Sequence, residues 1–287
     1  MTYTEEVDEL ADIIEEIAEA LIATPSWSDG DETWTTDDRT GNNARRCLYH
    51  SDGVYMALEA INQSDGAAVA SGYRAKGLRI TFSETWDDEN HMWPEDNMQS
   101  FVQFEGHNGD VSADLATLKI NHARWVWEDG FVLIGAPEKH SGDNYQGSFL
   151  VVVERQTDKF YNDGESNFFV YCRCSKLQFD NYTHWRHKSV IRPWVFQTNN
   201  ASEGRAVYLL AMKTVSGATY FMYPVYFNDR WNLKPVAQSK MVMDYDPNKG
   251  LADGDIIAVQ GSTKKFKCKH FAGPDGGSLH IGVMYQE

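Results

Sequence analysis

One acidic turn near the carboxyl end of the chain carries oxygen-bearing side chains at alternate positions, a pattern suited to metal binding. The candidate ligands are Asp244, Asp246, Asn248 and Asp255. Hard cations such as Ca²⁺ take about six to eight oxygen ligands around a tight bend, so Ca²⁺ is the cofactor that this spacing would suit. The pattern departs from an EF-hand, because Lys249 stands where that motif needs glycine. The alternative is an acidic loop that only connects two strands.

Tryptophans stand beside polar residues in two further segments. These are Trp86-Asp-Asp-Glu-Asn-His-Met-Trp93 and Tyr182-Thr-His-Trp185. Rings flanked by Asp, Asn and His can stack on sugar faces, so Trp86, Trp93 and Trp185 are candidate ligand-binding residues and a host-surface glycan is a candidate partner. Aromatic residues also pack protein cores and anchor subunit contacts, and both alternatives stay open.

Motifs of common catalytic sites are missing from the sequence. It contains no G-x-S-x-G, no P-loop, no dinucleotide-binding fingerprint and no H-E-x-x-H. A carboxylate pair for glycoside hydrolysis can be drawn from any chain this rich in acidic residues, so it has little weight. We therefore expect a protein that is not an enzyme.

Apolar residues near the amino terminus recur at the spacing of one helix face. The stripe comprises Val7, Leu10, Ile14, Ile17 and Leu21. It predicts an amphipathic helix over residues 5–23, with Thr4 as N-cap and Thr24-Pro25 as the stop signal. The stripe is a candidate subunit interface, through which the helix would bind a partner or a second copy of the chain. The alternative is that the helix packs on its own domain.

Most of the remaining sequence indicates strands and turns. Residues 78–82 alternate apolar and polar positions, whereas 149–153, 168–172 and 206–211 are continuous apolar runs, typical of strands covered on both faces. Asp129-Gly130 predicts a tight hairpin. We therefore expect a mainly β fold, in which antiparallel sheets form a β-sandwich or jelly-roll, preceded by the amphipathic α-helix.

The same signals suggest how the chain is divided. We expect an amphipathic helix in residues 1–25, a polar linker or loop in 26–43 and a β-sandwich domain in 44–183. Residues 184–287 would form a second β-rich domain or continue the first one. The sequence leaves open whether there are one or two β-domains.

Charge and hydropathy narrow the classes of partner. The chain of 287 residues has 42 Asp and Glu against 26 Lys and Arg, which gives a formal net charge of −16. Such a surface repels phosphate backbones and anionic lipids, so nucleic acid is not an expected partner. No apolar run is long enough to cross a bilayer, and the acidic amino terminus is unlike a signal peptide, so no membrane insertion is expected.

The order of these segments resembles a known class of viral protein. After the acidic helix come Trp125-Val-Trp-Glu-Asp-Gly-Phe-Val-Leu-Ile134, Gly147-Ser-Phe-Leu-Val-Val-Val-Glu154, Ile191-Arg-Pro-Trp-Val-Phe196 and Leu279-His-Ile-Gly-Val-Met-Tyr285. This layout resembles the β-rich virion structural proteins encoded in the tail gene modules of tailed bacteriophages and archaeal viruses. The resemblance covers most of residues 48–287 and is one of layout and aromatic rhythm.

The resemblance implies a non-enzymatic structural part of a tailed virus particle, at the tail tip or baseplate, with host-surface contact. Its partners would be other virion proteins and copies of itself. The expected location is the virion, after synthesis in the host cytoplasm. A capsid decoration or turret protein and a carbohydrate-binding adhesin are the alternatives.

Overall fold

The computed structural model describes residues 1–37, 39, 43–61, 74–93, 98–107, 115–138, 145–146, 148–160, 167–174, 222–228, 235–245, 250–259, 261–273 and 278–285. Its elements in chain order are β1 (Thr2–Glu9), α1 (Leu10–Ile22), β2 (Trp27–Asp29), β3 (Arg45–His50), β4 (Val54–Ile61), β5 (Arg74–Ser83), β6 (Met98–His107), β7 (Lys119–Trp127), β8 (Gly130–Pro137), β9 (Tyr145–Gln146), β10 (Phe149–Arg155), β11 (Phe168–Cys174), β12 (Met222–Asn228), β13 (Pro235–Tyr245), β14 (Ile256–Ala258), β15 (Lys265–Ala272) and β16 (Ser278–Tyr285).

The described strands pair antiparallel in three sheets. The central sheet has the order β1-β7-β8-β10-β11, the front sheet β2-β3-β4-β5-β6-β9 and the back sheet β12-β13-β16-β15-β14. The expectation of a mainly β, sandwich-like fold is confirmed. None of the helices in the described ranges is long and apolar enough to span a bilayer.

The central sheet is covered on both faces. In β10, Phe149, Val151 and Val153 join a core with α1 and the front sheet, whereas Leu150 and Val152 join a second core with the back sheet. Because side chains alternate between the faces of a strand, a strand with two buried faces needs apolar residues at every position. The prediction from the runs 149–153 and 168–170 is confirmed; the run 206–211 lies outside the described residues.

The predicted hairpin at Asp129-Gly130 is also confirmed. β7 and β8 pair from Ile120 with Pro137 to Trp127 with Gly130. Gly130 has φ +147°, a backbone conformation that residues with a Cβ rarely adopt.

The sequence correctly predicts a helix near the amino terminus, but the predicted start at residue 5 is wrong. Residues 2–9 form β1, which pairs with β7 over its whole length, so Thr4 lies in a strand opposite Arg124 and is not an N-cap. The helix begins at Leu10 and ends at Ile22, just before the predicted stop at Thr24-Pro25.

The apolar stripe of this segment is not available as a subunit interface. Leu10, Ile14, Ile17 and Leu21 are fully buried in the core between the front and central sheets. Val7, 47% exposed, lies on β1 rather than on the helix. The interface interpretation was wrong for the four helical residues, because the chain's own sheets occupy the face that a partner would need.

The described parts of segments 26–43 and 184–287 lie in different layers. In the first, Trp27 and Trp34 are buried, and the Trp27 Nε1 donates to the Glu128 carbonyl at 2.8 Å, so this loop packs by its aromatic rings. The back sheet is built from described residues from 222 onward and packs on the central sheet. The expected boundary at 183/184 lies outside the described residues.

Candidate functional site: an aromatic face on the front sheet

The outward side of the front sheet is built from three rows of side chains that cross β3, β4 and β5. Along each strand, alternate residues such as Leu48, Met56 and Ile80 point into the core. The residues between them therefore share the opposite side. The pairing register aligns them as Arg45, Glu59 and Arg79, then Cys47, Ala57 and Thr81, then Tyr49, Tyr55 and Ser83.

Three tryptophans from two loops cover the middle of this side. Trp34 is buried with Cys47 and Ala57, and Trp86 and Trp93 pack against that group half-buried. The ring centroids of Trp34 and Trp86 are 5.1 Å apart and those of Trp86 and Trp93 are 5.8 Å apart. We call Trp34, Tyr49, Tyr55, Trp86 and Trp93 the aromatic face.

Two arginines border the aromatic face. The Arg45 guanidinium lies 5.7 Å from the centroid of the Trp34 ring, and that of Arg79 lies 5.0 Å from the Trp93 ring. Arg79 also donates from Nε (3.0 Å) and Nη2 (2.6 Å) to Glu59 Oε2. Cation–π contact and ion pairing together fix the Arg79 head group beside the half-buried Trp93 ring.

A buried carboxylate fastens the two loops to each other. Asp31 is 5% exposed, and its oxygens accept hydrogen bonds from the Thr33 and Trp34 backbone N–H (3.0 Å each), from Trp86 Nε1 (2.8 Å) and from His91 Nδ1 (2.8 Å). Burial alone would raise the pKa of Asp31, but the hydrogen bonds from His91, Trp86 and Thr33 outweigh it and hold the pKa below its usual value.

His91 reaches Asp31 from a strained backbone. The loop closes through two backbone hydrogen bonds between Asp87 and Met92, at 2.9 and 3.1 Å, and His91 has φ +52°. A residue with a Cβ is uncommon in this left-handed region, and such strain persists where surrounding contacts fix it. Since an ionised carboxylate only accepts, the Asp31 contact places the proton on Nδ1 of His91.

Replacing Asp31 by alanine should lower the free energy of unfolding by about 2–4 kcal/mol, because the buried N–H of Trp34 and the part-buried N–H groups of Trp86 and His91 lose an acceptor. The Trp86 ring should also lose its anchor and change its fluorescence. Urea unfolding followed by tryptophan emission measures both effects. Glu32→Ala, one residue further on and exposed, should stay within about 0.5 kcal/mol of the natural protein. Equal effects of the two substitutions would contradict this role of Asp31.

The sequence predicts Trp86, Trp93 and Trp185 as ligand-binding residues, and the structure describes two of these three. Trp86 and Trp93 lie together in one group, whereas Trp185 lies outside the described residues. Asp31 and Arg79 were not singled out by the sequence. His91 lies within the segment that drew attention to Trp86 and Trp93, but nothing in that segment pointed to its partner, Asp31.

The calcium site stays a prediction, because Asp246 and Asn248 lie outside the described residues. The Asp244 Oδ1 accepts from the Tyr245 N–H at 2.9 Å, and the Asp255 Oδ2 accepts from the Ala252 N–H at 2.7 Å. Asp244 thus binds the backbone of its neighbour at the end of β13, and Asp255 binds the backbone of the turn that precedes it.

Another group of ligand-type side chains joins β1 to β7. Atoms of Glu6, Asp8 and His122 lie within 4.8 Å of one another. Arg124 lies at this group: its Nη1 donates to His122 Nε2 at 2.9 Å, and its Nη2 pairs with Glu6 at 3.0 Å and with Glu16. Burial lowers the pKa of His122 to about 4, so the imidazole is neutral and accepts from Arg124. Arg124 therefore supplies a positive charge beside Glu6 and Glu16.

Comparison of the sequence with models of known protein families gives no match, and comparison with curated proteins gives no significant match.

Proposed function

We propose that the protein is a non-enzymatic structural component of a tailed virus particle, located at the tail tip or baseplate, and that the aromatic face contacts a neighbouring virion protein. The layout described above supports the class of protein. The observation that carries the contact surface is the combination of half-buried Trp86 and Trp93 with Tyr55 and Arg79 on one side of the front sheet.

These residue types suit a protein–protein contact. Trp, Tyr and Arg dominate the energetic centres of such contacts. Trp and Tyr bury a large area with few rotatable bonds, and Arg offers a planar head group with several hydrogen-bond donors. Here the rings are already held by Asp31 and by each other, so little side-chain entropy remains to be lost on binding.

A second function, carbohydrate binding, is favoured by the contact between Asp31 and His91. It leaves an imidazole, 38% exposed in its side chain, beside half-buried indole rings. A sugar can stack on an indole while an imidazole nitrogen hydrogen-bonds a hydroxyl group. This arrangement would suit an adhesin at the tail tip, and a capsid decoration protein would use the same face for a different neighbour.

Immunogold electron microscopy of particles released by the source culture tests the location. Label at the tail end is the expected result, and label over the head would move the protein to capsid decoration. Particles without label, with the protein found only inside cells, would contradict the virion proposal.

Incorporation of a tagged chain into particles tests the surface. Trp86→Ala combined with Trp93→Ala should lower the tagged protein in purified particles at least about tenfold, the equivalent of 1.4 kcal/mol of binding. Ile256→Ala removes an exposed apolar side chain of the back sheet and should leave incorporation unchanged, with melting temperatures checked for both. If the double tryptophan variant is incorporated normally but the particles no longer adsorb to host cells, glycan binding is favoured. If both incorporation and adsorption are normal, neither role of the aromatic face holds.

A further inference from the structure

A buried glutamate lies between the central and back sheets. Glu154, near the end of β10, is 1% exposed and follows Leu150 and Val152 on the side that packs on the back sheet. Its neighbour Arg155 points to the other layer, where it pairs with Asp52 at 2.7 and 3.0 Å. The core on this side is otherwise apolar at β10, so the carboxyl group needs a specific reason to be there.

The Glu154 carboxyl is bonded to the middle of β13. Its Oε2 accepts from the Ser239 hydroxyl at 2.5 Å, and its Oε1 accepts from the Lys240 backbone N–H at 2.8 Å and from the Gln156 side chain. The Ser239 oxygen in turn accepts from the N–H groups of Met241 (3.2 Å) and Val242 (3.0 Å). One side chain therefore organises four consecutive residues of the back sheet.

The charged groups around this carboxyl leave it without a direct ion pair in the described part of the chain. The Lys240 Nζ binds Asp158 instead, at 2.7 Å, and both side chains are exposed. The charge of Lys240 still favours an ionised Glu154, whereas Asp129, at the β7–β8 turn, adds negative charge and pairs with Arg155 Nη1 at 3.3 Å. Burial disfavours the charged form of Glu154 and outweighs the hydrogen bonds from Ser239 and the Lys240 N–H, which favour that form.

The Gln156 side chain, which contacts Glu154, also bears on the protonation of this carboxyl group. Among the residues that the structure describes, the buried Gln156 Oε1 has no hydrogen-bond partner. Turning the Gln156 amide by half a rotation would aim this oxygen at Glu154, and only a protonated carboxyl could donate to it.

We propose that Glu154 is a protonation-dependent latch between the central and back sheets, which binds β13 firmly when the carboxyl is protonated and loosens when it ionises. In support, burial raises the pKa of Glu154 to about 7. A carboxyl whose pKa is raised in the folded state stabilises the docked form below its ordinary pKa. That stabilisation is lost as the pH rises from about 4.5 to about 7.

Amide hydrogen exchange across this pH window tests the latch. After correction for intrinsic rates, exchange at Met241 and Val242 should increase by up to about tenfold per pH unit between pH 5 and pH 7 in the natural protein, since one pKa unit corresponds to tenfold. Glu154→Gln, which is neutral at every pH, should remove this dependence. Glu138→Gln, at an exposed position after β8, should keep it. Burial lowers the pKa of His50, the buried histidine on the other side of the central sheet, which lies among Trp27 and Phe168.

Carboxyl ¹³C NMR of the natural protein gives a measurement independent of any variant. The Glu154 signal should titrate near pH 7, well above the ordinary glutamate value of 4.5. A Glu154 midpoint between pH 4 and 5 would overturn the proposal, and so would a Glu154→Gln variant whose exchange keeps the pH dependence of the natural protein.

Discussion

Replacing Gly130 by alanine should prevent the central sheet from forming. A Cβ at this position would lie 2.0 Å from the Val153 carbonyl oxygen and 2.8 Å from its carbon, which are backbone atoms of the neighbouring β10. Because β10 is held between two packed layers, it cannot move aside without disturbing both cores. The expected loss exceeds about 4 kcal/mol in the free energy of unfolding, and soluble yield and thermal unfolding measure it.

Gly53→Ala is the matched control for this effect. Gly53 also has positive φ, +85°, in the turn between β3 and β4, but in the described part of the chain no atom beyond its two sequence neighbours lies within 4 Å of an added Cβ. It should cost only the backbone strain of about 1–2 kcal/mol. Gly130→Ala and Gly53→Ala proteins of equal stability would show that conformation alone, and not the contact with β10, requires glycine at 130.

Leu10→Asp combined with Ile17→Asp should unfold the whole protein. Both side chains are fully buried where α1 meets the front and central sheets. Each substitution removes a buried aliphatic group and places a carboxylate among apolar neighbours, so the combined loss should exceed about 5 kcal/mol. Circular dichroism and thermal unfolding give the result.

Val7→Asp is the control that distinguishes loss of the buried core from loss of association through the apolar stripe. Val7 belongs to the same sequence pattern but is 47% exposed on β1, so its replacement should leave the fold intact. If the double variant is folded and only its association is lost, the burial of the helix in its own core would be contradicted.

The parts of the fold that could be predicted from the sequence depend on local patterns. Continuous apolar runs identified β10 as doubly covered, and Asp129-Gly130 identified a hairpin, because burial and turn conformation act on neighbouring residues. The start of the helix could not be found this way. Pairing with β7 determines that residues 2–9 are a strand, although their acidic residues and the position of Val7 fit a helix.

The residues of the candidate site also differ in whether a local sequence pattern could identify them. Trp86 and Trp93 drew attention because polar residues surround them in the sequence. Asp31, by contrast, is 60 residues from His91 and 55 from Trp86, and only the folded front sheet brings them within hydrogen-bond distance. The buried carboxyl of Glu154 was hidden for another reason, since an acidic residue at the end of an apolar run is usually read as the end of the strand.

The pairing of β1 with β7 has a consequence for the order of events during synthesis. Thr2 lies 124 residues from its partner Val126. At about 5–20 residues per second, a ribosome takes roughly 6–25 seconds to cover that distance. During this interval β1 has no strand to pair with and the apolar residues of α1 have no central sheet to cover them. The nascent chain is therefore most open to chaperones, or to aggregation with its neighbours on a polysome, until β7 and β8 emerge.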